Sequence, residues 1–220
     1  MQKMSSRQLH DETPGAGHTR STAKLSLFAW LRLVRQSTPE HWRGDPFHRP
    51  QIPDVIPADH GVLEGHQTND RIVKLSKDGA FITAWGKHGS APGEFDVPHS
   101  LALDSAGLLY VGDRSNNRVQ IFDQSGKFIA EWKQFGPSSV YMDKNDTIYV
   151  ADSQSDDKTN PGFNRDIQIG SVKDGKVAAF IPLTDPAIGS AEELAVDDQG
   201  NVFAGFTAQG KMAVRKFVKN

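Results

Sequence analysis

Side chains able to do chemistry are unevenly placed along this chain. Cysteine is absent, which excludes disulfides, thiolate metal sites and a cysteine nucleophile together. Five of the eight histidines precede residue 62. Two of these, His41 and His48 in HWRGDPFH, are a residue type that ligates metals, but nothing else in the sequence supports a site there. Further along, His99, Ser138 and Glu192 each stand five residues before an aspartate (Asp104, Asp143 and Asp197). Arg71 and Arg118 are equivalent to one another, as are Asp113 and Asp152. Positions repeated in this way serve a repeating unit rather than its chemistry. The two arginines are therefore expected to pair with carboxylates between units.

The unit behind these equivalences has its best copy from Pro98 to Trp132. RIVKLSKDGAFITAW, starting at Arg71, matches RVQIFDQSGKFIAEW, starting at Arg118, at a constant offset of 47 residues. Gly79 then pairs with Gly126, Phe81 with Phe128 and Trp85 with Trp132. LALDSAGLLYVGD matches VYMDKNDTIYVAD at an offset of 39, placing Tyr110 on Tyr149 and Asp113 on Asp152. A third copy, LAVDDQGNVFAGF, puts Phe203 on Tyr110 and Phe206 where the others carry aspartate.

Each copy has the chemistry of four antiparallel strands. Leu101 and Leu103, Leu109 and Val111, Val119 and Ile121, and Phe128 and Ala130 alternate at period two. The turns between them, DSAG, DRSNN and DQSG, supply Gly, Asn and Asp where a tight turn needs them. A sheet that is apolar on both faces is buried by stacking against copies of itself, the logic of a propeller. Unrelated hairpins in a sandwich would not keep constant offsets. The trailing Trp85 and Trp132 read as blade packing. The expected fold is all-β, an incomplete propeller.

Thirteen strands are legible: two in 71–85, four in 98–132, four in 137–181 and three from Ala191 to Val218. That is about three and a half blades, whereas six would need roughly 250 residues. The last copy stops at its third strand, and no strand is evident near the N-terminus to complete it. Residues 1–62 carry loop composition, with six of the twelve prolines. They are expected to be irregular except for a short amphipathic helix at 25–36, and blades are expected over 63–220. A truncated form, a first segment that replaces lost blades, and a misassigned start each account for this division. An open blade edge also predicts self-association, a second copy completing the ring.

Net charge is −2 with no basic stripe, so nucleic acid and anionic membranes are not natural partners. No apolar run reaches a membrane span. LSLFAWLRLV (25–34) begins too late for a signal peptide and is interrupted by Arg32, so compartment is not legible.

The copies resemble NHL repeats. More closely, RIVK, FITAWG, PGEF, VPHSLALD and DRSNNR, in that order, resemble the propeller of peptidyl-α-hydroxyglycine α-amidating lyase and its bacterial relatives. The resemblance spans 64–220 and is strongest over 69–122. It implies a six-bladed propeller with zinc at its axis, held by histidines of the innermost strands, with calcium a second candidate ion. It also implies a Tyr and an Arg at the substrate, and release of glyoxylate and a peptide amide. On this resemblance His99 falls on a zinc ligand and Arg114 on the arginine that meets the substrate carboxylate. Glu192 stands where the family has another ligating histidine. His66, in EGHQTNDR, falls near the family's tyrosine, where it would serve as the acid–base group. A remaining histidine ligand would lie in a blade that the sequence does not show.

These departures favour a non-catalytic module binding a peptide or protein on its axial face. An active metal-dependent carbon–nitrogen lyase is the alternative, and a non-functional remnant the third reading. Relatives of this kind are commonly secreted or periplasmic.

Overall fold

A computed structural model describes residues 2–3, 56–58, 61–66, 69–76, 80–133, 136–183, 189–208 and 211–219. The expected helix at 25–36, and His41 and His48, lie outside the described residues. Among the described residues there are sixteen strands: β1 (Gln2–Lys3), β2 (Ile56–Ala58), β3 (Gly61–His66), β4 (Arg71–Leu75), β5 (Phe81–Trp85), β6 (Pro98–Leu103), β7 (Leu109–Asp113), β8 (Arg118–Phe122), β9 (Phe128–Trp132), β10 (Pro137–Met142), β11 (Thr147–Asp152), β12 (Asp166–Ser171), β13 (Val177–Pro182), β14 (Ser190–Val196), β15 (Val202–Ala208) and β16 (Lys211–Phe217). Among the described residues they form four sheets, ordered β2-β3-β4-β5, β6-β7-β8-β9, β10-β11-β12-β13-β1 and β14-β15-β16, antiparallel throughout except where β1 joins β13. The all-β, propeller-like reading holds, and the blades number four, the last with three strands. Among the described residues no helix is long and apolar enough to cross a membrane.

All thirteen strands legible from the repeat are present. The three others, β1 to β3, begin in the stretch whose composition reads as loop, so the first blade starts at Ile56. Its opening hairpin, IPADHGVLEGH, carries a proline, Pro57, and no counterpart of the repeat, which hid it. The N-terminal strand does not complete the last blade: β1 pairs parallel with β13, on the outer edge of the third. The far edge of β16 is unpaired among the described strands, and Val214 on it is 74% exposed.

Period-two alternation sends neighbouring residues of each strand to opposite interfaces. On β7, Leu109 and Val111 pack with Ile72, Phe95 and Phe122 toward the first blade. Tyr110 between them packs with Val140, Ile148 and Val150 of the third. On β11, Tyr149 and Ala151 join Phe206 and Phe217 of the fourth blade. Trp85 stacks over the next blade's turn at Gly126, where a Cβ would lie 2.6 Å from the ring, and Trp132 does the same at Gly175. Both tryptophans are blade packing.

The recurring aspartates close hairpins. Asp104 Oδ1 accepts from the N–H groups of Ala106 and Leu108, Asp143 Oδ1 from Asn145 and Thr147, and Asp197 Oδ1 from Gln199 and Asn201. Three residues on, each turn needs a positive φ, met by Gly107 (80°), Asp146 (59°) and Gly200 (81°).

One buried arginine fixes the connection between the first two blades. Arg118 donates to Asp113 Oδ2 (2.7 Å), Glu131 Oε2 (2.9 Å) and the carbonyls of Ser90, Ala91 and Glu94. Both carboxylates belong to its own blade, and the reach between blades is through loop carbonyls instead. The expected carboxylate pairing between units is corrected accordingly. Asp113 Oδ1 accepts from the Asp96 N–H (2.8 Å), which sets the chain entering β6.

Two stability outcomes follow. Arg118→Met leaves Asp113, 0% exposed, as an uncompensated buried charge and should cost about 3–5 kcal/mol in urea unfolding; adding Asp113→Asn should recover part of it. Asp166 has a buried Oδ1 with no hydrogen-bond partner. Burial moves its carboxyl from 3.8 up to about 6, opposed by the Gln168 hydrogen bond and helped by Asp152. A raised native pKa means the native state holds this proton more tightly than the unfolded chain. The contribution is therefore complete below about pH 4 and lost as pH rises through about 6. Asp166→Asn should match the parent near pH 4 and exceed it in urea midpoint at pH 7.

Candidate functional site

The first strands of the last three blades share one irregularity. In β6 the register against β7 shifts between Pro98 and Ser100, in β10 between Pro137 and Ser139, and in β14 between Ala191 and Glu193. The extra residues are His99, Ser138 and Glu192. A bulge re-aims a side chain while leaving the ladder intact on either side. The slot five residues before the turn aspartate is thus a β-bulge in each blade.

These bulges are joined across blades, β6 lying against β10 and β10 against β14. His99 Nδ1 lies 2.6 Å from the Ser138 carbonyl oxygen. The Ser138 hydroxyl, 0% exposed, donates toward the Ala191 carbonyl at 2.7 Å and lies 3.1 Å from that of Ala151. Ser100 ties the same pair of strands, its Oγ accepting from the Val140 N–H at 2.8 Å. A carbonyl can only accept, so His99 carries its proton on Nδ1, and the Nε2 lone pair is left for a proton, a ligand N–H or a metal.

Arg114 reaches the same place from the β7–β8 turn. Its backbone N–H donates to the Val97 carbonyl (3.2 Å), and Asn117 N–H returns to its own carbonyl (3.1 Å). Its Nη1 lies 3.8 Å from Glu192 Oε2, with side-chain exposures of 27% and 25%. Burial lowers the His99 pKa, the Arg114 charge lowers it further, and the Ser138 carbonyl opposes both. Burial raises the Glu192 carboxyl while Arg114 pulls it down.

The structure therefore brings His99, Arg114 and Glu192 together from three elements. His66 ends β3, its backbone opposite Arg71; its side chain lies outside the described atoms. A separate cluster has no precursor in the sequence reading. Asp70 Oδ2 is 3.0 Å from His88 Nδ1, Asp70 Oδ1 accepts from the Val97 N–H (3.0 Å), and ligand atoms of Asp70, His88 and Asp96 lie within 4.8 Å of one another. It joins a turn to an interblade loop, both outside the recurring strands, so no repeat signal could reveal it. Among the described residues it is the one group of three metal-type donors; His99 and Glu192 do not form such a group with a third.

The sequence model of the NHL repeat matches residues 95–122. Human NHL repeat-containing protein 3 is 43% identical over 91 residues, 39% of this chain and 24% of that protein. Peptidyl-glycine alpha-amidating monooxygenase B of Xenopus laevis is 32% identical over 169 residues, 69% of this chain and 18% of that protein. The chain thus spans a quarter or less of the length of these relatives. Among solved structures, a streptogramin B lyase superimposes with a TM-score of 0.53 at 16% identity, covering 76% of this chain and 54% of that one. Hydrazine synthase of Kuenenia stuttgartiensis gives 0.55 at 16%, covering 78% and 48%. At such identities the likeness is one of fold.

The bonding predicts how His99 titrates. By NMR its imidazole should titrate below 6.5 and be an Nδ1–H tautomer when neutral. Arg114→Ala should raise that pKa without restoring 6.5, since burial is the larger cause. A midpoint at 6.5 or above in the parent protein would contradict the geometry.

Proposed function

As an NHL-repeat propeller module related in sequence to amidating enzymes, the chain presents bulged first-strand residues, and we propose that it binds the carboxylate-bearing end of a peptide there. The observation that carries this reading is the convergence of His99, Arg114 and Glu192 from β6, the β7–β8 turn and β14. Arg114 supplies a planar fork for a carboxylate. His99 Nε2 accepts an N–H from the peptide backbone. Both groups are partly desolvated, which strengthens each contact relative to water.

The zinc implied by the resemblance is tested by the donors themselves. His99 suits a metal, because its Nδ1–H is committed to a carbonyl in the manner of ligating histidines. Glu192 does not, since it sits beside a guanidinium whose charge opposes a dication, and no third donor joins it among the described residues. Three protein ligands are the usual requirement of a catalytic zinc. The binding reading is therefore drawn without a metal. The lyase reading is supported by the likeness to the Xenopus protein, and any zinc or calcium retained by the chain also has Asp70, His88 and Asp96 available to it.

Fluorescence anisotropy with matched peptides ending in a free carboxylate or an amide tests the reading. The free carboxylate should bind tighter, and Arg114→Ala should weaken it roughly 10- to 100-fold, the range of a charged hydrogen bond. Equal binding of the two ends would reject it. Release of glyoxylate from a peptidyl-α-hydroxyglycine, with about one zinc per chain lost in His99→Ala, would establish the lyase reading instead.

A further inference from the structure

We propose that Glu192 is a built-in competitor for Arg114, so that this face discriminates against simple anions and selects a peptide C-terminus with a cationic side chain beside the carboxylate. This rests on the binding reading above and adds the chemistry of the preferred ligand.

Three equivalent bulges carry three different side chains, and only that of Glu192 is acidic. It lies two blades away from the turn that bears Arg114, yet the two charged groups are 3.8 Å apart. That distance is an ion-pair contact without a hydrogen bond, so the donors of the guanidinium and the acceptors of the carboxylate stay uncommitted to each other. Among the described residues Arg114 meets no other carboxylate and Glu192 no other cation. Each side chain is about three-quarters buried, so separating them leaves two charges in poorly solvated positions.

A ligand carboxylate that takes Arg114 therefore removes the counter-ion of Glu192. A ligand that is only an anion leaves Glu192 unpaired, and removing one partner of a desolvated pair is the costly case. A ligand with an ammonium or guanidinium next to its carboxylate satisfies both residues at once. The face then holds two crossed ion pairs instead of one, with no charge left over. Arg114 supplies affinity for the carboxylate end, and Glu192 sets which carboxylate end is accepted.

The test compares two peptides that differ only at the last residue, Lys or Ala, each with a free carboxylate, against the parent chain, Glu192→Gln and Arg114→Ala. The parent should favour the Lys end. Glu192→Gln should tighten the Ala-ended peptide roughly fivefold, the upper range of a partly exposed ion pair, and erase the preference. This gain on removing a charged residue is something a merely structural role would not produce. If Arg114→Ala abolishes binding while Glu192→Gln leaves both affinities and the preference unchanged, the proposal falls and the binding reading stands. If neither peptide binds the parent or Glu192→Gln, both fall. Weaker binding of the Ala-ended peptide by Glu192→Gln would also overturn the proposal, making Glu192 a direct contact for it.

Discussion

The two middle blades of this molecule are covered on both faces. Val150 packs with Ile121 and Tyr110 on one side of its sheet, while Tyr149 and Ala151 of the same strand pack with Val202 and Phe206 on the other. With apolar residues pointing both ways, no sheet is stable as a free layer, and each is held chiefly by its neighbours. Stacking in turn fixes the angle at which first strands approach one another. The same requirement explains the tryptophans at blade ends, since Trp85 and Trp132 each lie on a glycine turn of the following blade.

Apolar stacking alone would let neighbouring blades slide. What pins them is a polar seam along the first strands, where a hydrogen bond has one partner geometry and no tolerance for slippage. His99 meets the Ser138 carbonyl, Ser138 the Ala191 carbonyl, and Ser100 the Val140 amide. Such groups are costly to bury unless satisfied, and here each is satisfied by the neighbouring blade, so the seam specifies register as well as adding attraction. The bulges that create it also release side chains from the ladder. One device therefore docks the blades and re-aims the side chains of His99, Ser138 and Glu192.

How much of this was legible depended on whether a feature recurs. The thirteen strands and the Asp104, Asp143 and Asp197 turns are written several times, so their spacing betrays them. The slot holding His99, Ser138 and Glu192 could be located by counting back from those aspartates, because the repeat keeps its register. That the slot is a bulge could not be read, since an inserted residue leaves no mark on composition. β2 and β3 escaped because the first blade departs from the repeat there and β2 carries Pro57. The Arg114–Glu192 approach and the Asp70–His88–Asp96 cluster were invisible for another reason. The first joins the second blade to the fourth through their stacking, and the second joins a turn to an interblade loop that lies outside the repeat. Arg118 shows the converse error: its recurrence marked it as structural, but recurrence does not say whether a partner lies in the same blade or the next.

The seam also bears on what charge can be accommodated beside the bulged first strands. The Arg114 guanidinium and the carboxylate form of Glu192 cancel in formal charge before any ligand arrives. Placing a dication at His99 Nε2 would add charge beside a guanidinium that is already partly desolvated, and Glu192 would have to leave that guanidinium to compensate. In a site built from neutral histidines no such competition exists, because imidazoles contribute lone pairs without charge. Glu192 therefore supplies the arginine with an internal counter-ion that a neutral imidazole at that position would not.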